Sequence, residues 1–208
     1  MKNLKIYIYF SFIIIVIIAN SCFIVIEETQ TDIAPAITIS PKPSIPMSDT
    51  LLRSDLGDMI AFIPQGWFFV DLENELSEDV IAVAVNPEYT LAAIFSKIRK
   101  SPQAEDIVKK EALIGLARYS LQKKQNKTGN SVKLTGKYSI LNMGLLSFCK
   151  YNYITQNSNI EARTAVFIST LNNYYEFTLL PINITGNYLP PTKEIDEIFN
   201  SIVTTIQF

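Results

Sequence analysis

Residues 6–18 read IYIYFSFIIIVII, and no other stretch of this 208-residue chain is as apolar over that length. Lys2 and Lys5 precede the run, and Ala19, Asn20, Ser21 and Cys22 close it. A basic start, an apolar core and small residues at its end make a secretory signal. The lysines stay cytoplasmic while Glu27 and Glu28 fall on the far side, so the remainder of the chain is exported. Without a second such run, a multi-pass membrane protein is excluded. Whatever core the chain builds must come from the residues after this block.

Ala19-Asn20-Ser21-Cys22 resembles the box of bacterial lipoproteins. That resemblance implies that Cys22 is lipid-modified and becomes the new N-terminus. Ser21 fits the pattern, whereas Ala19 stands where a larger aliphatic residue is usual and Asn20 also departs from it. Phe23-Ile24-Val25-Ile26 prolongs the run, which through Ile26 is long enough for an uncleaved span. An ordinary cleaved signal is the third reading. The first two tether the chain outside a bacterial cytoplasmic membrane. The expected organisation is a signal with lipobox or membrane anchor over 1–22, a flexible Pro-rich tether over 23–50, and one globular domain over 51–208. Pro35, Pro41, Pro43 and Pro46 lie in the tether, where no helical or alternating period survives.

Composition narrows the chemistry. Hydrophobic residues make up 48% and charged residues 18%, which excludes a disordered chain. There is no histidine, so Ser-His-Asp triads, Cys-His dyads and histidine pH switches are excluded. Net charge is -2, and it grows more negative once Lys2 and Lys5 are set aside. Nucleic acid is therefore not an expected partner. Cys149 is left alone once Cys22 is assigned to the anchor, so no disulfide framework is expected. No cofactor motif is present.

Hydrophobic periodicity predicts strands, a helix, more strands and a last helix. Residues 58–70 read as a hairpin around Pro64-Gln65-Gly66, with a new strand from Trp67. Two apolar strands follow over 80–86 and 90–98, covered on both faces. Ser101-Pro102 caps and opens a helix that runs to 125–129, with Ile107, Val108, Ala112, Ile114, Ala117 and Leu121 as its stripe. Runs over 131–141, 144–154, 160–171 and 174–182, joined by short turns, form an antiparallel meander. Thr192 caps a final helix in which Ile195, Ile198, Phe199, Ile202, Val203 and Ile206 recur at spacings of three and four. The fold class is α+β, a three-layer α/β/α sandwich on a largely antiparallel sheet.

The opening strand with Ile63-Pro64-Gln65-Gly66-Trp67, the middle helix, the meander and the amphipathic C-terminal helix resemble the PsbP-like fold family over about residues 51–208. That group includes an extrinsic photosystem subunit, a Ran-binding protein and bacterial lipoproteins. The resemblance implies a binding or assembly factor, not an enzyme, and supplies no catalytic residues.

Several clusters are candidate sites. Asp71, Glu73, Glu75, Glu78 and Asp79 form an acidic loop able to take a divalent cation, although the EF-hand pattern is absent. The same carboxylates would serve glycoside hydrolysis only if suitably spaced. Tyr151, Tyr153, Tyr174 and Tyr175 offer an aromatic row that seats a partner or sugar, or that merely stabilises the sheet. Lys97, Arg99, Lys100, Lys109, Lys110, Lys123, Lys124 and Lys127 make a basic flank that suits anionic headgroups or an acidic partner, or that is simply the solvated face of the helix. Trp67 reads as a core anchor and Cys149 as a buried apolar residue. The reading that follows is a membrane-tethered cell-envelope lipoprotein with an accessory role and an envelope protein partner. The alternative is a binder of a sugar, lipid or divalent cation.

Overall fold

The computed structural model describes residues 32–71, 77–155, 158–182, 186 and 188–208. Cys22, Glu73 and Glu75, and the first two residues of the turn expected over 156–159, lie outside them. Asp32–Phe208 forms one compact unit. Its strands are β1 (Ile37–Thr38), β2 (Met47–Arg53), β3 (Ile60–Pro64), β4 (Phe68–Phe69), β5 (Val80–Val85) and β6 (Leu91–Ile98). Helix α1 (Pro102–Lys127) follows, then β7 (Val132–Met143), β8 (Leu146–Thr155), β9 (Ser158–Ile168), β10 (Tyr174–Pro181) and helix α2 (Thr192–Thr205).

Eight strands form one sheet in the order β1-β7-β8-β9-β10-β6-β5-β4, and β2 pairs with β3 separately. Among the described residues, every ladder is antiparallel except β1 with β7. The class is α+β, as periodicity predicted. Alternation along each strand splits the sheet into two faces. On one, Phe95, Phe148, Phe167 and Phe177 pack against Ile198, Phe199 and Ile202 of α2 and against Ala61 and Ile63 of β3. On the other, Cys149, Tyr151, Tyr153 and Val166 pack against Leu116, Ala117 and Leu121 of α1. The sheet is thus the middle layer.

Four expectations are corrected, the last of them in helix α1. The tether expected over 23–50 is already part of the packed unit from Asp32 onward. Ala34 N donates to the Tyr138 carbonyl (2.7 Å), Ile39 N to that of Asn142 (3.0 Å), and Ser44 N to Ser201 Oγ (3.0 Å). Ile39, Ile45 and Met47 press on the core. Prolines removed any period from this segment, yet extended backbone beside a sheet edge needs none. Residues 58–70 are not a hairpin either: β3 pairs with β2, and β4 pairs with β5. Trp67 N donates to the Pro64 carbonyl (3.1 Å), and Gly66 has φ +84°. Proline is therefore the first turn residue and glycine the third, the positive-φ position of a type II turn, which hands the chain from one sheet to the other. Third, Pro191 rather than Thr192 occupies the cap position of α2, with no side-chain cap bond.

The cap of α1 is as expected: Ser101 Oγ accepts from Ala104 N (3.1 Å). The expected uninterrupted helix is broken at Ala112, where φ is 51° and ψ is -132°. The chain turns a corner there, and a Cβ on Gly115 would stand 2.6 Å from the Ile107 carbonyl oxygen. In a straight helix these residues would be about two turns apart.

Candidate functional site

At the N-terminal end of α2, three chain segments meet around Trp67. The turn at 64–66 presents the indole. The β5–β6 turn is held beside it by Asn86, whose Oδ1 accepts from Thr90 N and Leu91 N (both 2.8 Å). The Asn86 amide donates to Thr90 Oγ1 (2.7 Å) and Glu88 Oε2 (3.0 Å). The third segment is Tyr188-Leu189-Pro190-Pro191, leading into α2.

Two adjoining clefts result, of about 390 and 440 Å³, and they share Trp67, Glu194 and Ile198. Pro46, Pro64, Leu189, Pro190 and Pro191 supply rigid apolar walls. Tyr188 is fully exposed at the rim. Phe68 and Tyr89, each 41% exposed, stand edge to face next door at 5.7 Å. Among the described residues, the charged side chains in either lining are carboxylates, Glu88, Glu194 and Glu197. A concave surface of aromatic and proline residues with a few acids suits an apolar or cationic group, not an anion.

The residues expected to form sites are distributed differently. Tyr151, Tyr153, Tyr174 and Tyr175 are all buried, so they make no exposed platform, which corrects that expectation. Tyr175 points to the α2 face and the other three to the α1 face. Adjacent residues on a strand alternate sides, so Tyr174 and Tyr175 cannot share a surface. Of the acidic loop, Asp71 is exposed, and Glu78 and Asp79 both pair with Arg99. No cluster of three potential metal ligands occurs among the described residues.

Part of the basic flank does gather. Lys97, Lys123, Lys124 and Lys127 line a small pocket of about 120 Å³ with Asp79 and Glu176. Lys124 pairs with the buried Glu176 carboxylate, which also accepts from Ser120 Oγ and Thr178 Oγ1. Burial pushes the Glu176 carboxyl upward, but Lys124 and these donors outweigh it and hold the pKa below the ordinary value. Ser120 also bonds the Tyr151 hydroxyl (2.7 Å), so this network ties α1 to β8 and β10. Cys149 is buried as expected, and burial pushes its thiol up to about 12.

The Trp67 cleft was not assembled from sequence. Pro64-Gln65-Gly66-Trp67 and Thr192 read in sequence as a turn and a helix start. Their convergence from distant parts of the sequence depends on how α2 crosses the sheet, which no local pattern records.

Comparison with solved structures identifies this architecture. The cyanobacterial PsbP of Synechocystis sp. PCC 6803 superposes with a TM-score of 0.52 at 12% identity, over 76% of this chain and 91% of that one. The fold is PsbP-like. The Saccharomyces cerevisiae Ran-binding protein Mog1p aligns with 77% of this chain and 95% of its own, at 10% identity and a TM-score of 0.47. LpqN, involved in cell envelope biogenesis of Mycobacterium tuberculosis, aligns with 77% and 90%, at 14% identity and a TM-score of 0.41. No family model matches the chain, and no curated protein matches its sequence. At these identities the PsbP-like likeness concerns the backbone and transfers no site residue.

Proposed function

We propose that this chain is an exported accessory protein of a bacterial cell envelope, tethered to its membrane through Cys22. In this reading it has no catalysis of its own and works by holding an envelope protein partner in the Trp67 cleft. The carrying observation is the cleft itself: two adjoining hollows share one indole, proline walls and a rim whose charges are all carboxylates. The partner would contribute an apolar or cationic side chain as the buried anchor, surrounded by weaker contacts. The burial of Cys149 supports a binding role, because it keeps the thiol from a substrate.

The test is site-specific photo-crosslinking in cells with the anchored chain. A crosslinking residue in place of Tyr188 is expected to capture one defined envelope protein. The same residue in place of Leu171, an exposed position that does not line the cleft, is expected to capture none. Trp67→Ala should reduce the yield from position 188 several-fold. Equal capture from both positions, or none from either, sinks the cleft. The anchor is checked separately: a clickable fatty acid should label the native chain, and labelling that persists in Cys22→Ala would overturn lipidation there.

A further inference from the structure

On the α2 face of the sheet, away from Trp67, a second cavity of about 270 Å³ opens between β1, the β7–β8 ladder and α2. It shares no lining residue with the Trp67 clefts. A bulge makes the room. Thr135 pairs with Asn152 and Ser139 with Lys150, so Gly136, Lys137 and Tyr138 of β7 stand against Tyr151 alone of β8. Gly136 takes a φ of +73° there. Such an insertion bends its strand and interrupts the ladder.

The charges in the lining are of one sign. Lys137 and Lys150 both line the cavity, and among the described residues no carboxylate does. The Lys150 side chain is only 20% exposed, and its nearest carboxylate oxygen, Asp196 Oδ1, is 3.9 Å away. That oxygen is already held at 2.5 Å by Arg163 Nε. Glu161 is engaged by Thr135 Oγ1 at 2.6 Å and by Arg163. Arg163, Lys150 and Lys137 thus outnumber Asp196 and Glu161. Burial lowers the Lys150 pKa; Asp196 and Glu161 oppose the shift without cancelling it, and Arg163 adds to it. Among the described residues, Lys137, the Ser139 hydroxyl and the Asn200 amide have no partner, and all three belong to this lining.

The occupant follows from these groups. A cation would meet two ammonium groups. A neutral molecule would leave Lys150 without a close counter-charge, which a largely buried ammonium needs. An oxyanion supplies that charge, and its remaining lone pairs suit Lys137, the Ser139 hydroxyl and the Asn200 amide. Asn152 lines the cavity too, but its Oδ1 is shut off from solvent and sets no demand on the occupant. Ile37, Ile39 and Leu141 supply apolar wall. The volume exceeds the need of a bare ion, since one water takes roughly 30 Å³. We infer that this cavity binds an organic oxyanion, a carboxylate or phosphate on an apolar body, with its charge met by Lys137 and Lys150. A soluble organic acid and an anionic lipid both carry that chemistry.

The test follows Tm of the full-length chain in a non-ionic detergent against butyrate, butyl phosphate and butanol, with ionic strength held constant by sodium chloride. At least one of the two anions should raise Tm saturably by a few degrees, as a ligand of the folded state must, and butanol should not. Lys150→Met should lose that rise. The same variant should keep or raise the ligand-free Tm, because an apolar side chain replaces a poorly paired buried charge. Lys137→Gln, at an exposed position, should weaken the response, whereas Lys109→Gln, exposed on α1 and outside this lining, should leave it intact. No rise with either anion, an equal rise with butanol, or a rise preserved in Lys150→Met would overturn the assignment. Phosphatidylcholine vesicles carrying the chain, with and without phosphatidate, separate the sources. A Lys150-dependent rise with phosphatidate assigns a lipid headgroup, and a rise confined to the soluble anions assigns a soluble acid. Because the cavity is separate from the Trp67 cleft, crosslinking at position 188 should be unchanged in Lys150→Met, so the two readings fail independently.

Discussion

Asp58 shows how much one side chain can join. Its carboxylate accepts from Ser169 Oγ (2.5 Å), Tyr175 Oη (2.6 Å), Asn173 Nδ2 (2.8 Å) and Ser54 Oγ (2.9 Å). These donors sit on the β2–β3 connection, the β9–β10 turn and β10, so one residue pins the small two-stranded sheet to the large one. Burial alone would raise its pKa, but the four donors outweigh that and hold it well below the ordinary carboxylate range. A carboxyl whose folded pKa is depressed stabilises the fold above its unfolded pKa, about 4. That contribution is lost as pH falls through the interval below 4, towards the folded pKa. Asp58→Asn is neutral, and its amide nitrogen faces donors, so it should cost about 2–3 kcal/mol at pH 7. In urea melts, the gap between native chain and variant should narrow on going from pH 7 to pH 3. A gap that is constant with pH would show that Asp58 acts by shape, not by charge.

Among the elements, α1 and α2 show what a sequence records and what it hides. Apolar spacing placed α2 correctly because its stripe docks on the sheet along its length, so period and contact agree. The same reasoning drew α1 as one rod, because the stripe continues through Ala112 without a proline. Its corner depends instead on Gly115, a residue that reads as an ordinary weak point in a helix. Gly115→Ala distinguishes the two pictures. In a straight helix alanine is the better residue and the substitution stabilises by about 1 kcal/mol. At this corner the added methyl meets the Ile107 carbonyl oxygen and its Cγ2, so the variant should lose about 1–3 kcal/mol. A gain in thermal stability would mean that α1 is straight. The first strands teach the same lesson. Trp67 and the turn before it were legible, but which sheet each flanking strand joins is decided by its pairing partner outside the turn, Val85 for Phe68 and Leu51 for Phe62. The cleft was hidden for that reason, since it is lined by segments that only the crossing of α2 and the packed 32–46 segment bring together.

At the scale of the whole molecule, the sheet is the cooperative unit, and Cys149 reports on it. The residue lies in β8, paired to Ile140 of β7 and Val166 of β9, and is covered by α1. No local fraying exposes it, because both ladders and the helix must open together. Alkylation of Cys149 by iodoacetamide, followed at that residue by peptide mass spectrometry, should therefore be slower than in the unfolded chain by the unfolding equilibrium constant. For a domain of this kind that factor is on the order of 10³–10⁸. The pH dependence separates the two possible routes. Reaction in the folded state would accelerate up to about pH 12, where burial has pushed the thiol. Reaction through global opening would level off above about pH 8.5, the value of a solvated cysteine, provided the opening equilibrium itself is flat there. The sheet's central position for Cys149 predicts the second profile, with a rate that rises in step with urea-induced unfolding. Fast labelling at neutral pH without denaturant would mean that α1 and its face of the core open independently of the rest.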